Sequence, residues 1–247
     1  MPNVKLVVEY NGSGFHGWQI QPGLRTIEGE LKRVLETILR QDIHAIYAAG
    51  RTDSGVHARG QVVNFYLPVE PDLRRLRHSV SSIMRTELSV KSAEIVPDEF
   101  HARRSSISKT YRYTVFHQEC PPVLDRGQVW HVGAPLDLDR MQKEAETLVG
   151  VHDFSSLRGA GCRAHSAVKE VFESGFVWSA PYLIYSVKGR GFLKQMVRNI
   201  VGTLVGFGRG RIALPNMPAV LEARDRRVAG VTAPAYGLLL EEVHYGS

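Results

Sequence analysis

Cysteine and long apolar runs are both scarce in this chain of 247 residues. Its only cysteines, Cys120 and Cys162, lie 42 positions apart, so neither a disulfide framework nor a paired-cysteine zinc site can be built from them. We expect two buried free thiols. No apolar run approaches the ~20 residues that a membrane span needs, and the N-terminus lacks the pattern of a signal peptide. These absences predict a cytoplasmic protein.

Several familiar site motifs are missing as well. No two of the ten histidines lie closer than 13 positions, which excludes HExxH-type sites, and we expect no metal. GxSxG and GxxxxGK[ST] are absent, which removes the common hydrolase elbow and the P-loop. Residues 12–17 fit the GxGxxG nucleotide fingerprint, but Pro22 and Gly23 intervene before any helix pattern begins. We therefore interpret this segment as a flexible loop and predict no cofactor.

Acidic charge is scarce in the middle of the first half, and this scarcity isolates one residue. Asp53 is the only acidic residue in 43–69. Gly50 and Gly55 bracket it and permit a sharp turn that exposes its carboxylate. Arg51 could hold that carboxylate ionised by charge pairing. The alternative is a capping aspartate in an ordinary tight turn.

The balance of charge over the whole chain is basic. Lysine and arginine number 31 against 25 aspartates and glutamates, and the pI is near 9.4. This excess favours a polyanionic partner, although proteins that bind none often share it. With 43% hydrophobic residues, the chain is long enough for one large domain or two small ones.

Hydrophobic periodicity predicts one order of elements twice along the chain. Apolar residues alternate over 4–10, which indicates a strand, and recur at helical spacing over 26–39, where Thr26 can cap a helix. Further strands are predicted at 43–49, 61–66, 90–96, 109–116, 168–178, 183–188 and 238–245, and further helices at 73–86, at 138–148 and from Phe192.

The resulting βαββαβ order, repeated, predicts an α+β fold of two split-βαβ, ferredoxin-like halves that face each other across a cleft. We place the halves at residues 1–103 and 104–247. The long loops at 11–25 and 152–166 are rich in glycine, arginine and histidine, so we expect them to have functional roles.

A basic stripe is predicted beside the helix that begins at Phe192. Arg190, Lys194 and Arg198 recur at four-residue spacing. The alternative is a solvated basic face. Apolar neighbours crowd Arg198, however, and a half-buried guanidinium normally needs a carboxylate partner, for which Asp53 is the candidate.

A second basic stretch alternates with aromatic residues on the strand predicted at 109–116. Lys109, Tyr111 and Tyr113 fall on one face, which would offer stacking surfaces and phosphate contacts of the kind that RNA-binding sheets use. The alternative is ordinary cross-strand packing of the tyrosines. Together with the basic helix and the isolated carboxylate, this strand suggests chemistry on RNA.

The motifs as a set resemble those of the TruA family of tRNA pseudouridine synthases. The resemblance runs from end to end of the chain and departs from the family pattern at Asn11, at Ser54 and at 167–169, none of which is the reactive group. The shared segments are GRTDxGVHAxGQV at 50–62, FHAR at 100–103, YRY at 111–113, MVRNIVG at 196–202, and the first and last signatures at 10–19 and 233–238.

This resemblance implies a pseudouridine synthase fold with a continuous, mainly antiparallel sheet and a central basic cleft. It also implies the isomerisation of uridine to pseudouridine at positions 38, 39 and 40 of the tRNA anticodon stem-loop, without a cofactor. The implied enzyme is a homodimer in which both protomers contact the tRNA.

The resemblance assigns roles to individual residues. Asp53 is the essential carboxylate, and its route stays open among attack on the sugar, attack on the base and removal of a sugar proton. Arg51 would help to extrude the base, Tyr111 would stack on it, and Arg198 would pair with Asp53. The expected phosphate contacts are Arg103, Lys109, Arg112, Arg190 and Lys194.

Two other functions remain as alternatives. A non-catalytic RNA-binding protein would explain the charge and the aromatic residues but not Asp53. An unrelated glycosidase or nuclease would explain a carboxylate, but the expected second acid or metal ligands are missing.

Overall fold

The structure, a computed structural model, describes residues 1–246 and has an α+β fold. The strands are β1 (Asn3–Tyr10), β2 (Tyr47–Ala48), β3 (His57–Tyr66), β4 (Leu88–Val96), β5 (Ser106–Phe116), β6 (Trp130–His131), β7 (Gly150–Asp153), β8 (Val168–Ser179), β9 (Tyr182–Gly189) and β10 (Leu238–Tyr245). The helices are α1 (Ile27–Leu39), α2 (Leu73–Met84), α3 (Leu138–Glu146), α4 (Met196–Gly208) and α5 (Met217–Glu222).

The chain divides into two compact units. Unit 1 comprises Met1–Ile107 and the chain from Leu239 onward, and unit 2 comprises Ser108–Leu238. The expected boundary lay between residues 103 and 104. The observed division differs from it mainly because most of β10 belongs to unit 1 and not to the second half. That strand runs parallel to β3, so the last residues of the chain belong with the first.

The strands of unit 1 pair in the order β4-β1-β3-β10, with β2 also on β3. The pairs are antiparallel except for β3 with β10. Val4, Leu6 and Val8 are fully buried on one face of β1, as the alternating pattern predicts. α1 begins as expected, because Oγ1 of Thr26 accepts a hydrogen bond from the backbone of Gly29 at 3.3 Å.

The strands of unit 2 pair in the order β5-β9-β8-β7, all antiparallel, and β6 runs parallel to β5. α4 is apolar around most of its circumference and nearly all of it is buried. Among residues 1–246, none of the five helices combines the length and the apolar character that crossing a bilayer requires.

The structure corrects the predicted helix from Phe192. α4 begins only at Met196, because Gln195 has a positive φ of 59° and the chain before it is not helical. Arg190 and Lys194 therefore precede the helix. The predicted stripe of three basic residues at helical spacing is wrong.

Two smaller predictions also differ from the structure, and three short elements were not predicted. The strand expected at 43–49 shrinks to β2, which has two residues. Cys120 is exposed and Cys162 is partly exposed, so the thiols are free but not buried. The short elements β6, β7 and α5 have too few residues for their periodicity to be recognised.

Candidate active site

The predicted turn around Asp53 is present between β2 and β3. The backbone N–H of Val56 donates to the carbonyl of Asp53 at 3.1 Å, and Gly55 supplies the positive φ of 78° that the turn needs. Thr52 is buried, whereas Asp53 is partly exposed and Arg51 is exposed. The turn is therefore anchored by the buried Thr52, while the side chains of Asp53 and Arg51 can both reach solvent.

A buried polar network supports this turn from inside unit 1. The hydroxyl of Tyr10 lies 2.8 Å from Oγ1 of Thr52. Nε2 of Gln61, whose side chain is wholly buried, donates to the carbonyl of Gly50 at 2.8 Å. Burial raises the pKa of the Tyr10 phenol above its usual range, so the hydroxyl stays protonated. The network fixes both the start of the turn and the residue that precedes Asp53.

The segment 11–18 packs against the same turn, and it includes residues 12–17, whose interpretation as a flexible loop is wrong. It contains a 3₁₀ turn at Gly12–Gly14, and Phe15 and Trp18 are buried. Three hydrogen bonds join it to the turn: Trp18 N to Thr52 O at 3.0 Å, Gly12 N to His57 Nδ1 at 3.1 Å, and Ser54 Oγ to Phe15 O at 3.2 Å.

Two glycines make this close approach possible. A Cβ on Gly12 would lie 2.0 Å from the carbonyl oxygen of Val56, and a Cβ on Gly17 would lie 2.9 Å from that of Thr52. Gly17 also has a φ of +87°. The N-terminus of α1 holds the segment from its other side, because Ile27 N donates to the carbonyl of Gly17 at 3.1 Å. The GxGxxG pattern therefore serves backbone packing around Asp53.

Arg103 lies on an exposed turn of unit 1 that is shaped by its neighbours. Nδ1 of His101 accepts a hydrogen bond from Arg103 N at 3.1 Å, and burial lowers the pKa of His101, which keeps the ring a neutral acceptor. Ala102 is buried, and its N–H donates to Oδ1 of Asn64 at 2.9 Å. In the FHAR segment, Ala102 is therefore buried and hydrogen-bonded, whereas the side chain of Arg103 is exposed.

The predicted aromatic face of β5 is confirmed as a shared face, but it is more buried than expected. Lys109 and Tyr111 are each 8% exposed, and Tyr113 is 0% exposed. The Tyr113 hydroxyl donates to the carbonyl of Pro234 at 2.8 Å, so this ring is a packing residue, as the alternative interpretation holds. Tyr111 meets the ring of Phe192 edge to face, with centroids 5.1 Å apart. Arg112 is partly exposed on the other face.

Arg198 is half-buried on the first turn of α4, as its apolar neighbours predict. Its Nε donates to the carbonyl of Ala233 at 2.7 Å, and Ala233 N donates back to the carbonyl of Arg198 at 3.2 Å. This reciprocal pair sets the direction of the guanidinium. It also ties α4 to the last signature segment of the chain.

A network that sequence reasoning missed surrounds the next residue, Asn199. Its Oδ1 accepts hydrogen bonds from Thr232 Oγ1 at 2.7 Å and from Arg226 Nη2 at 3.1 Å. Its Nδ2 donates to the carbonyl of Leu157 at 2.9 Å. The only signal in the sequence was the place of Asn199 in MVRNIVG, because Arg226 lies in a segment with no recognisable motif.

Arg190 and Lys194 hold backbone and surface groups of unit 2. Lys194 Nζ donates to the carbonyl of Ala160 at 3.0 Å, and Arg190 Nε lies 3.2 Å from a carboxylate oxygen of Glu170. Both side chains are exposed. Both can reach solvent as phosphate-binding residues would, although each already has a partner within the chain.

The structure places the predicted site residues in both units. In unit 1 it brings Arg51 and Asp53 together on one turn. Within residues 1–246, no group of three or more histidine, cysteine, aspartate and glutamate side chains is arranged to hold a metal ion. The predicted residues of unit 1 are Arg51, Asp53 and Arg103, and those of unit 2 are Lys109, Tyr111, Arg112, Arg190, Lys194 and Arg198.

Comparison with known proteins identifies relatives over nearly the whole chain. The tRNA pseudouridine synthase A of Syntrophotalea carbinolica is 39% identical over 245 residues, which cover 99% of this chain and 97% of that protein. The tRNA pseudouridine synthase A of Bacillus velezensis is 39% identical over 243 residues, and that of Bacillus subtilis is 38% identical over 243 residues. Both alignments cover 98% of each chain.

A family model described as tRNA pseudouridine synthase matches residues 145–246. That region includes the MVRNIVG segment, the Asn199 network and the segment that holds Arg198. The similarity to the relatives also covers the turn that carries Asp53. The chain belongs to the tRNA pseudouridine synthase A family.

Proposed function

We propose that this chain is an isomerase that converts uridine to pseudouridine at positions 38, 39 and 40 of the tRNA anticodon stem-loop, with Asp53 as the essential carboxylate. The observation that carries the proposal is the support of the Asp53 turn on two sides. Tyr10 and Gln61 hold it from the core, and the segment 11–18 holds it by backbone contacts. A carboxylate that only capped a surface turn would not need this framework.

The chemistry suits a single carboxylate. The N-glycosidic bond of the uridine breaks, the base turns, and a bond forms between carbon 5 and the same sugar carbon, while the proton of carbon 5 is lost to water and N1 gains one. No group leaves the nucleotide and no electrons are transferred. Hydrolysis of a glycosidic bond generally needs an acid and a base in a pair. Attack by Asp53 on the sugar, attack on the base and removal of a sugar proton each fit this balance.

The target base must leave its stack, which costs a few kcal/mol by the usual base-flipping estimate. The exposed Arg51, two positions from Asp53, is suited to assist extrusion. Tyr111 is held edge-on by Phe192 and would stack on the base with its remaining surface. Arg198 would pair with Asp53 and keep it ionised, in the orientation that the Ala233 carbonyl sets.

The proposal extends to the phosphate contacts and the assembly. Arg103, Lys109, Arg112, Arg190 and Lys194 would bind the backbone of the anticodon stem-loop, so affinity should fall steeply with salt. Two ferredoxin-like halves would frame a basic cleft, which the order of β4, β1 and β3 supports in unit 1. The active form would be a cytoplasmic homodimer that needs no cofactor.

A set of tRNA transcripts tests the proposed specificity. All uridines of every transcript are tritiated at carbon 5. Each of three transcripts has uridine at only one of positions 38, 39 and 40, and a control has cytidine at all three. We expect the native enzyme to release tritium from each of the three and none from the control. Release from uridines elsewhere in the control, or no release at all, would contradict the proposal.

A further inference from the structure

The outer surface of α2 concentrates positive charge in unit 1. Arg74, Arg75, Arg77 and His78 lie within five consecutive residues, and all four are exposed. Together they line one groove of about 540 Å³, which we call the α2 groove. No ion pair among residues 1–246 includes any of these four side chains. The three guanidinium charges are therefore available to a ligand.

The placement of this charge is unfavourable for the helix itself. Arg74 and Arg75 occupy the first turn of α2, where the helix dipole is positive, and that turn contains no acidic residue. The carboxylate of Asp72, which also lines the groove, caps the helix by accepting a hydrogen bond from Arg75 N at 2.9 Å. Two arginines at this position reduce helix stability, and a bound anion would offset that cost.

The groove has a defined floor between α2 and β4. Ser81 Oγ accepts a hydrogen bond from Val90 N at 3.0 Å and donates to the carbonyl of Arg77 at 2.9 Å. Arg77 Nη1 reaches the carbonyl of Lys91 at 3.4 Å, which holds one guanidinium along the groove. Guanidinium groups on a fixed surface suit phosphate, because their planar donors match its oxygen atoms.

The groove extends away from the Asp53 turn. That turn leads into His57, the first residue of β3, whereas α2 begins seven residues after Tyr66, the last residue of β3. The groove floor at Val90 lies level with Gln61, four residues along β3 from His57, because both residues pair with Val8 of β1. Four strand residues span about 13 Å and two strand spacings about 10 Å, so a polyanion that contacted both the groove and the Asp53 turn would extend beyond a single nucleotide.

We propose that the α2 groove binds the phosphate backbone of the tRNA outside the anticodon stem-loop. This inference rests on the proposed function only in that tRNA is the substrate. Structured RNA fits the observations better than an acidic peptide, because the residues that line the groove are charged or polar except for Val90 and so form no pocket of apolar side chains. The groove would raise the affinity for whole tRNA over that for the isolated stem-loop.

Binding measurements on charge variants test this proposal. The variant Arg74→Gln/Arg75→Gln/Arg77→Gln is compared with the native protein by fluorescence anisotropy, on whole tRNA and on an isolated anticodon stem-loop, across a range of salt. We expect about tenfold weaker binding to whole tRNA, a log–log salt slope smaller by about 2 to 3, and affinity for the stem-loop within about twofold. A variant with lysine at all three positions should keep most of the affinity.

A matched control removes the same charge from α1 and its C-terminal cap. The side chains of Lys32, Arg33 and Arg40 also belong to unit 1, and the first two form surface ion pairs with Glu36 and Glu30. Replacing all three by glutamine should change neither affinity by more than about twofold. Thermal unfolding of both variants checks the fold, and we expect the groove variant to be at least as stable as the native protein.

Three results would overturn the proposal: equal affinity of the groove variant and the control for whole tRNA, a loss of affinity for the isolated stem-loop equal to that for whole tRNA, or a loss confined to labelled polyglutamate, an acidic peptide measured in the same assay. Failure of the proposed function would look different, because the native enzyme would then release no tritium from tRNA whatever the state of the groove.

Discussion

The hydroxyl of Tyr10 lies 2.8 Å from Oγ1 of Thr52, one residue before Asp53. Tyr10 is 3% exposed and Thr52 is 7% exposed, so the bond forms out of reach of bulk water. Tyr10, the last residue of β1, thereby fixes the backbone next to Asp53, the proposed catalytic carboxylate.

Replacing Tyr10 by phenylalanine tests that relationship. The ring still fills its site, but Thr52 Oγ1 loses its partner, so we expect the free energy of unfolding to fall by about 1 kcal/mol. We expect kcat to fall several-fold while KM for tRNA stays within about twofold, because the loss acts on the position of Asp53. Tyr66→Phe is the control, since that hydroxyl donates to the exposed carbonyl of Asp98 at 2.8 Å. Equal kcat in the two variants would contradict the account.

Replacing Gly17 by alanine tests the backbone packing on the turn. Its positive φ costs roughly 1–2 kcal/mol for any residue with a Cβ. The new Cβ would also meet the carbonyl oxygen of Thr52 at 2.9 Å, which displaces the turn. Gly23→Ala is a close control, because Gly23 has a φ of 71° but no atom within 4 Å of an added Cβ.

In urea unfolding, we expect the positive φ to lower the free energy of unfolding of both glycine variants by a comparable amount. A further decrease is expected only for Gly17→Ala. We expect kcat to fall about tenfold or more for Gly17→Ala and to stay near the native value for Gly23→Ala. A Gly17→Ala enzyme as active as the Gly23→Ala enzyme would show that the segment 11–18 does not position Asp53.

Replacing Arg226 by alanine tests the Asn199 network. The change removes hydrogen bonds to Asn199 and Thr232 in a half-buried setting, so we expect a loss of about 2 kcal/mol in the free energy of unfolding. The neighbouring Arg227 has a side chain that is 90% exposed, and Arg227→Ala should change stability by no more than about 0.5 kcal/mol. Equal unfolding midpoints of the two variants would contradict a structural role for the network.

Replacing Arg198 tests the proposed pairing with Asp53. We expect Arg198→Ala to lose nearly all turnover, and Arg198→Lys to recover only part of it, because lysine keeps the charge but not the planar donors. Single-turnover rates measured at saturating tRNA separate this effect from weakened binding. Normal turnover of Arg198→Ala would refute the pairing role.

The regular elements of the fold could be predicted from the sequence because their burial pattern is local. β1 alternates along its length, and α1 has both an apolar face and a capping threonine, so periodicity alone sufficed. The Asp53 turn could be predicted because scarcity of acidic charge and two glycines isolate it. These signals do not depend on distant parts of the chain.

The remaining features depend on tertiary context that periodicity does not encode. The apolar pattern before α4 is compatible with a helix, but the αL conformation of Gln195 delays its start to Met196. The tyrosines of β5 share a face as predicted. The carbonyl of Pro234, which accepts the hydrogen bond of the buried Tyr113 hydroxyl, however, lies 121 positions away in the sequence. Likewise, the role of Gly17 depends on a carbonyl 35 positions later in the chain.

The central claim is that Asp53 performs the chemistry, and tritium release from carbon-5-labelled uridine in tRNA tests it most directly. Native enzyme, Asp53→Asn and Asp42→Asn are compared at equal occupancy by tRNA, where Asp42 is an exposed aspartate of unit 1 outside the turn. We predict release by the native enzyme, release within about twofold of that rate by Asp42→Asn, and none above background by Asp53→Asn. Release by Asp53→Asn at the native rate would contradict the account.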